Sequence, residues 1–178
     1  MAFLHETNVP QFEGAVVVEG PDGRRYRTPE GKLYPSVTTV LGLTQDTSWK
    51  DEWIARVGQA EADKVSKQAT NRGTAVHDIL EKYLDNDPGY ARRHMPANIY
   101  TAKKLFPALE SHLNKVIRQE TPLYSDLLKT AGRVDVVGEW NGIRSIIDFK
   151  TSKRYKEKAD IEGYFCQASF YAYAWYER

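Results

Sequence analysis

Two aspartates lie on either side of a predicted tight turn and could together hold a metal ion. The stretch AGRVDVVGEWNGIRSIIDFKT, residues 131–151, contains Asn141-Gly142. This dipeptide is typical of a two-residue type I′ hairpin, in which both central residues need a positive φ. The register of such a hairpin places Asp135 opposite Asp148. Adjacent carboxylates repel each other unless a proton or a cation intervenes, and Mg²⁺ prefers carboxylate and water oxygens. The hairpin therefore predicts a divalent metal site.

The same register predicts one ionic face and one apolar face for the hairpin. It places Arg133 opposite Lys150 beside the two aspartates, and Val137 and Ile146 on that ionic face. The apolar face would carry Val134, Val136, Trp140, Ile143, Ile147 and Phe149. Two other interpretations remain open at this point: an ordinary solvated hairpin face, and a one-residue bulge that breaks the pairing of the aspartates.

Length and composition are those of one ordinary globular domain over residues 1–178. Of these residues 41% are hydrophobic and 28% charged, and no apolar run is long enough to span a membrane. The N-terminus has no secretory signal pattern, so we expect a cytoplasmic protein without a membrane partner. The single cysteine, Cys166, excludes an intramolecular disulfide framework.

Charge is unevenly spread although the net charge is only +1. Acidic residues outnumber basic ones in residues 1–89, and the reverse holds in residues 90–178, which suits a polyanionic partner. The run KTSKRYKEK, residues 150–158, follows the hairpin and adds Lys153, Arg154, Tyr155 and Lys156 as candidates for nucleic-acid binding. A solvated surface segment is the alternative interpretation.

The remaining elements predict an α+β protein with three parts. Residues 1–45 contain the turn signals Pro21-Asp22-Gly23 and Pro29-Glu30-Gly31, which predict an N-terminal β-hairpin, followed by a short helix that starts at Pro35-Ser36. Residues 46–120 form a helical part, and residues 120–178 contain the hairpin and a final helix.

Three helices are predicted in the helical part. The first begins with a Ser48/Asp51 capping box and continues past Gly58, with Trp49, Trp53, Ile54 and Val57 in the core. The second has the apolar stripe Val76, Ile79, Leu80, Tyr83 and Leu84. The third is expected from about Thr101 to Gln119.

Four more polar residues could reach the aspartates. Glu120 precedes a short predicted strand at residues 121–124 and could supply a third acid. Gln167 and Tyr171 lie four residues apart and so share one face of the last helix. His77 lies one position from the apolar stripe of its helix, where it could be a metal ligand or an ordinary boundary residue.

In this order the residues resemble the PD-(D/E)XK nuclease superfamily, in its RecB-like branch. The resemblance rests on His77, Glu120, the sequence GRVD at 132–135, DFK at 148–150, and Gln167 with Tyr171. The segments PSVTTVL at 35–41, RGTAVH at 72–77 and DFKTS at 148–152 are similar to those of mitochondrial genome maintenance exonuclease and its bacteriophage counterparts.

The resemblance implies a restriction-endonuclease-like core and a metal-dependent active site. A small central mixed β-sheet would be flanked by helices. The metal ligands would be His77, Glu120, Asp135, Asp148 and the backbone carbonyl of Phe149, for one or two Mg²⁺ or Mn²⁺ ions. Catalytic roles would fall on Asp135, Asp148, Lys150, Glu120, Gln167 and Tyr171. Arg72 and Arg133 would bind nucleic acid. The iron-sulphur version of the family needs four cysteines and is not expected.

The resemblance further implies an exonuclease acting on single-stranded DNA or DNA ends, in phage biology or in replication, recombination and repair. A nuclease-fold binding protein, a recombination or replication partner active only in a complex, and an endonuclease remain alternatives. The family's last core strand follows the helix that bears the glutamine. This sequence stops at Arg178, so we expect either a chain that is truncated there or a core without that last strand.

Overall fold

The computed structural model describes residues 2–9, 13–20 and 23–178. Six strands and six α-helices are formed in this part of the chain, with a 3₁₀ turn at Lys158–Ile161 before the last helix. In chain order they are β1 Val16–Gly20, β2 Gly23–Arg27, β3 Leu33–Pro35, α1 Val37–Gly42, α2 Ser48–Val57, α3 Gln59–Leu84, α4 Pro96–Lys103, α5 Phe106–His112, β4 Leu113–Ser125, β5 Thr130–Trp140, β6 Ile143–Ile147 and α6 Glu162–Glu177.

The strands form two small antiparallel sheets flanked by helices, which confirms the predicted α+β class. The N-terminal sheet has the order β1-β2-β3 and the central sheet the order β4-β5-β6. The central sheet was expected to be mixed, but its described strands are all antiparallel. Hairpin connections explain this, since a parallel neighbour needs a long crossover. Two isolated parallel bridges occur, at His5–Val116 and Ser36–Ala131.

The Asn141-Gly142 hairpin is confirmed with its predicted register. Trp140 pairs with Ile143, and both turn residues have a positive φ, 51° at Asn141 and 79° at Gly142. Regular pairing of β5 with β6 ends at Val136 and Ile147. Asp148 therefore lies just beyond the end of β6.

The central sheet is covered by helices on both sides. One core cluster joins it to α3 through Val76, Ile79 and Leu80, and a second joins it to α6 through Phe170 and Ala174. The prediction of one ionic face is therefore wrong for part of the hairpin. Val137 is fully buried in the second cluster, and Ile146 packs against that cluster. Full burial of a valine stabilises the fold by roughly 1.5–3 kcal/mol.

The N-terminal part has one strand more than predicted. The turn at residues 29–31 is present, with the Gly31 amide donating to the Thr28 carbonyl over 2.9 Å. It returns the chain as β3, so that a sheet of three strands is formed. Ser36 caps α1 by accepting a hydrogen bond from the Thr39 amide at 3.0 Å, as predicted. Pro21 and Asp22 of the first turn signal lie outside the described residues.

The first helix of the helical part departs from its prediction. It breaks at Gly58, whose φ of 83° separates α2 from α3. The N-cap is Thr47, no side-chain cap is formed, and the predicted capping box is absent. No residue of α2 is buried, and Trp49 is 63% exposed, so the predicted core role of this helix is wrong. The apolar stripe of α3 is confirmed, with Leu80 and Leu84 fully buried.

The predicted helix at residues 101–119 is also wrong over its second half. A separate short helix, α5, begins at Phe106 with Pro107 in its first turn, because proline cannot donate the hydrogen bond that a continuous helix would need. From Leu113 onward the chain is β4, which pairs with nearly the whole of β5. Pairing along this length outweighs local helix propensity. Among the described helices, none has the length and apolar character that crossing a bilayer requires.

Candidate active site

A polar cavity of about 490 Å³ lies between α3, β5, α6 and the N-terminal sheet. Charged groups dominate its lining: five carboxylates, three cationic side chains and one imidazole. These are Asp78, Glu81, Glu120, Asp135 and Asp148, then Arg24, Arg133 and Lys150, and finally His77. The carboxylates exceed the cations by two, which a single divalent metal would balance.

Asp135 and Asp148 line this cavity together, although the strand ladder does not continue to them. Asp135 Oδ2 instead accepts a hydrogen bond from the Phe149 amide at 2.6 Å. The predicted pairing of Arg133 with Lys150 is not formed, because the chain leaves β6 at Ile147. Arg133 Nε lies 2.8 Å from Glu120 Oε2, and Lys150 Nζ contacts Asp148 Oδ2.

His77 reaches the site from α3 and bridges the two ends of the hairpin. Its Nε2 lies 2.9 Å from the Phe149 carbonyl oxygen, and its Nδ1 lies 3.5 Å from Asp135 Oδ1. A carbonyl oxygen can only accept, so Nε2 carries the proton in this contact. In the neutral ring Nδ1 then has a free lone pair facing Asp135. Histidine ligands of metals commonly donate their second N–H to a carbonyl in this way.

Glu120 lies opposite Asp135 across β4 and β5. The pairs Gln119–Val136 and Thr121–Val134 flank it in the register. Its φ of 46° is unusual for a non-glycine residue, and such conformations are concentrated at functional sites. Burial raises the pKa of the Glu120 carboxyl, while nearby Arg133 opposes the shift.

His77, Glu120 and Asp135 fit a divalent metal ion. Each offers a ligand atom, and these atoms all lie within 4.8 Å of one another. One imidazole nitrogen with carboxylate oxygens is a donor set that suits Mn²⁺, and Mg²⁺ where oxygens dominate. Asp148 lies outside this group of three but faces the same cavity. The Phe149 carbonyl is placed against His77, so its predicted role as a ligand stays a prediction.

The electrostatics of the site favour binding of a cation. Hydrogen bonding to Asp135 raises the pKa of His77, against the opposing effect of burial. Burial raises the pKa of Asp148, the Lys150 ammonium lowers it, and Asp135 raises it further. Protons and a metal ion would therefore compete for the same groups of this site.

Gln167 and Tyr171 meet as the spacing predicted. Gln167 Nε2 donates to Tyr171 Oη at 3.0 Å, and both residues are buried at the cavity wall. Tyr171 packs on Gly132, where an added Cβ would lie 2.8 Å from Tyr171 Cε1. Gly132 thus permits the close approach of α6 to β5. Lys150 Nζ lies 5.4 Å from the centre of the Tyr164 ring on the same helix.

The predicted nucleic-acid-binding residues lie in different places. Arg133 lines the cavity. Arg154 and Lys156 line a separate depression of about 600 Å³ beside Trp49, and Lys156 Nζ donates to the Tyr164 hydroxyl at 2.7 Å. The remaining ones, Arg72, Lys153 and Tyr155, are not among the residues that line either cavity. Their DNA-binding role stays a prediction.

Several residues that line the cavity were not predicted from the sequence. Asp78 and Glu81 follow His77 on α3, and the spacing of Thr74, His77 and Glu81 on one helical face could have indicated them. Arg24, Tyr26 and Thr38 come from the N-terminal sheet and α1, and no local pattern connects them to the hairpin. Only the packing of the two sheets brings them to the site.

Comparison with known proteins agrees with this arrangement. A family model described as the PD-(D/E)XK nuclease superfamily matches residues 49–178, which is most of the chain and contains His77, Glu120 and the complete hairpin. A search of curated proteins found no significant match.

Proposed function

This chain belongs to the PD-(D/E)XK nuclease superfamily, and we propose that it is a metal-dependent DNA exonuclease acting on single-stranded DNA or DNA ends. Superfamily membership implies a metal-dependent nuclease. The finer proposal draws on the segments at 35–41, 72–77 and 148–152, which are similar to those of mitochondrial genome maintenance exonuclease and bacteriophage exonucleases in the RecB-like branch. In a phage or a bacterium such an enzyme would act in the cytoplasm.

One observation carries the proposal: three metal-ligating groups converge beside an Asp148/Lys150 pair in one open, charged cavity. The ligand atoms of His77, Glu120 and Asp135 lie within 4.8 Å of one another. Lys150 Nζ contacts Asp148 in the same cavity. Each of these groups could be explained separately, but their presence in one cavity calls for a single explanation. A site for a divalent cation and a phosphodiester supplies it.

A bound Mg²⁺ or Mn²⁺ ion would polarise the scissile phosphate and lower the pKa of a bound water. His77, Glu120 and Asp135 would hold it, with Asp148 beside them. His77 is oriented by its contact with the Phe149 carbonyl, and Asp135 by the Phe149 amide. The backbone carbonyl and amide of Phe149 therefore position the two ligands, His77 and Asp135.

Lys150 would orient the attacking water or stabilise the additional negative charge on the phosphate. Its side chain is one-third exposed at the cavity, which leaves it accessible to substrate. Gln167 and Tyr171 would form the wall behind Lys150 and could donate to the DNA backbone. Their mutual hydrogen bond holds the Gln167 amide in place at that wall.

Degradation of end-labelled linear and circular DNA, single- and double-stranded, would test the proposal in Mg²⁺, in Mn²⁺ and in EDTA. The native chain is compared with Asp148→Ala and with Asp51→Ala, which removes an exposed carboxylate of α2 away from the cavity. We expect metal-dependent loss of linear DNA by the native chain and Asp51→Ala. Asp148→Ala should be inactive, because the acid beside Lys150 is gone.

Other outcomes identify the alternatives. Cleavage of circular DNA would indicate an endonuclease. DNA binding without cleavage by the folded native chain would contradict stand-alone exonuclease activity. Recovery of cleavage on addition of a recombination or replication protein would then indicate a site that works only within a complex.

A further inference from the structure

One wall of the catalytic cavity comes from outside the segment that matches the superfamily. The match begins at residue 49. Arg24 and Tyr26 of β2 and Thr38 of α1 nevertheless line the cavity, together with the acidic hairpin. The N-terminal sheet therefore contributes to the site as well as to the fold.

This wall is held firmly against the central sheet. Tyr26 is 2% exposed and packs with Tyr124 and Ala131 in a small core cluster. Lys32 and Tyr34 both contact Asp126, each at 2.7 Å, in the turn between β4 and β5. Arg24 lies two residues from Tyr26 on the same strand, and side chains at this spacing share one face. Its position at the cavity is thus set by a buried neighbour.

The three cations of the cavity differ in what they contact. Arg133 Nε is 2.8 Å from Glu120, and Lys150 contacts Asp148, so both are engaged with carboxylates of the site. The contact of Arg24 is a looser ion pair, with Nε 3.6 Å from Glu19 Oε1 and more than half of each side chain exposed. Exposed ion pairs of this kind are worth little.

We propose that Arg24 is a DNA-binding residue whose guanidinium contacts a backbone phosphate of the strand entering the cavity. The inference rests on the proposed nuclease function and names a contact within it. A strand that enters a site lined by five carboxylates needs cationic contacts beyond the metal, because its phosphates are repelled there. Arginine suits this task, since its planar fork of donors can bind two phosphate oxygens at once. Thr38 is exposed on the same wall and offers a hydroxyl donor.

The first measurement is DNA affinity without cleavage. Fluorescence anisotropy of a fluorescein-labelled single-stranded oligonucleotide is recorded in Mg²⁺, with Asp148→Ala present in every variant to prevent hydrolysis. Arg24→Gln is compared with Arg27→Gln, an exposed arginine of the same strand that is not among the cavity-lining residues. We expect Arg24→Gln to raise Kd about tenfold and to reduce the slope of log K against log salt by about 0.7, the value for one phosphate contact on a single strand.

The second measurement is cleavage by the otherwise native enzyme. Arg24→Gln should raise KM and leave kcat nearly unchanged, and Arg24→Lys should recover part of the loss because it keeps the charge. Equal Kd, salt slope and KM for Arg24→Gln and Arg27→Gln would overturn the inference. Melting temperatures of both variants show whether the fold is retained. If Arg24→Gln is destabilised, Arg24→Lys replaces it in the comparison with Arg27→Gln.

Failure of this inference is separable from failure of the proposed function. If the native chain cleaves DNA and the two glutamine variants behave alike, only the role of Arg24 is wrong. If the native chain shows no metal-dependent cleavage, the proposed function fails, and the anisotropy comparison by itself decides whether Arg24 binds nucleic acid.

Discussion

The side chain of Asp135 accepts a hydrogen bond from the backbone amide of Phe149 at 2.6 Å, just where pairing between β5 and β6 stops. The Asp135 carboxylate thus accepts the hydrogen bond that a backbone carbonyl would accept in a continuing β-sheet. The carbonyl of the same Phe149 contacts His77. The end of the hairpin is thereby part of the candidate metal site. Asp135 both holds the Phe149 amide and offers a ligand atom to the metal.

Replacing Asp135 should separate these two roles. Asp135→Asn keeps an oxygen for the Phe149 amide and loses the charge, whereas Asp135→Ala loses both. In EDTA we expect the alanine variant to be about 1–3 kcal/mol less stable than the asparagine variant, because the Phe149 amide becomes unsatisfied. Chemical denaturation measures this difference. Both variants should lose metal-dependent cleavage, and equal stability of the two would contradict a structural role for the hydrogen bond.

Gly132 should not tolerate a side chain. An added Cβ would lie 2.8 Å from Tyr171 Cε1 and 3.1 Å from Val37 Cγ1, so α6 or α1 must shift. We expect Gly132→Ala to cost about 1–3 kcal/mol of stability, as overpacking does, and to reduce cleavage because Tyr171 and Gln167 move. The matched control is Gly42→Ala, where nothing lies within 4 Å of the new Cβ. Unfolding and cleavage assays on both variants test this expectation.

Metal binding should release a proton from His77. Hydrogen bonding to Asp135 raises the pKa of His77, so the imidazole of the metal-free protein stays protonated to higher pH than usual. A metal ion must displace the Nδ1 proton, and its affinity should therefore increase as pH rises through that pKa. Calorimetry of Mn²⁺ binding in buffers of different ionisation enthalpy measures the proton release. His77→Gln should reduce this release.

The same pKa shift predicts how the stability of the metal-free protein depends on pH. A pKa that is higher in the folded than in the unfolded state contributes stability below the unfolded value. This contribution is lost as pH rises through the folded value. In EDTA the melting temperature of the native chain should fall over this interval relative to that of His77→Gln. Parallel curves for the two proteins would show that His77 is not stabilised as the imidazolium.

Lys150 should affect the chemical step more than metal binding. Lys150→Gln removes the cation that contacts Asp148 and leaves His77, Glu120 and Asp135 in place. We expect kcat to fall by about 10²–10³, the usual cost of losing one group that stabilises charge in the transition state. Mn²⁺ affinity should change little. Lys103→Gln on α4, an exposed lysine away from the cavity, is the control. A large loss of Mn²⁺ affinity in Lys150→Gln would contradict this division of roles.

The sequence by itself determined those features whose physical cause is local. Positive φ at Asn141 and Gly142 is a demand of the two-residue turn, and it set the hairpin register. The 3.6-residue period placed Leu80 and Leu84 in the core. The Ser36 side chain caps α1 through the Thr39 amide, only three residues away. The resemblance to the superfamily indicated His77, Glu120 and Asp135 as metal ligands, and the fold brings these three residues together, while their metal-binding role stays a prediction.

Only the tertiary structure decided the features that depend on distant partners. Residues 113–119 became a strand because β5 offered a pairing edge, whereas α2 contributes no buried residue and Trp49 stayed exposed. Asp135 captured the Phe149 amide because the two strands separate at that point. Arg24 reached the cavity because Tyr26 is buried against the central sheet. Side-chain burial and long-range pairing outweigh local propensities, and a linear pattern does not contain the partners that decide them.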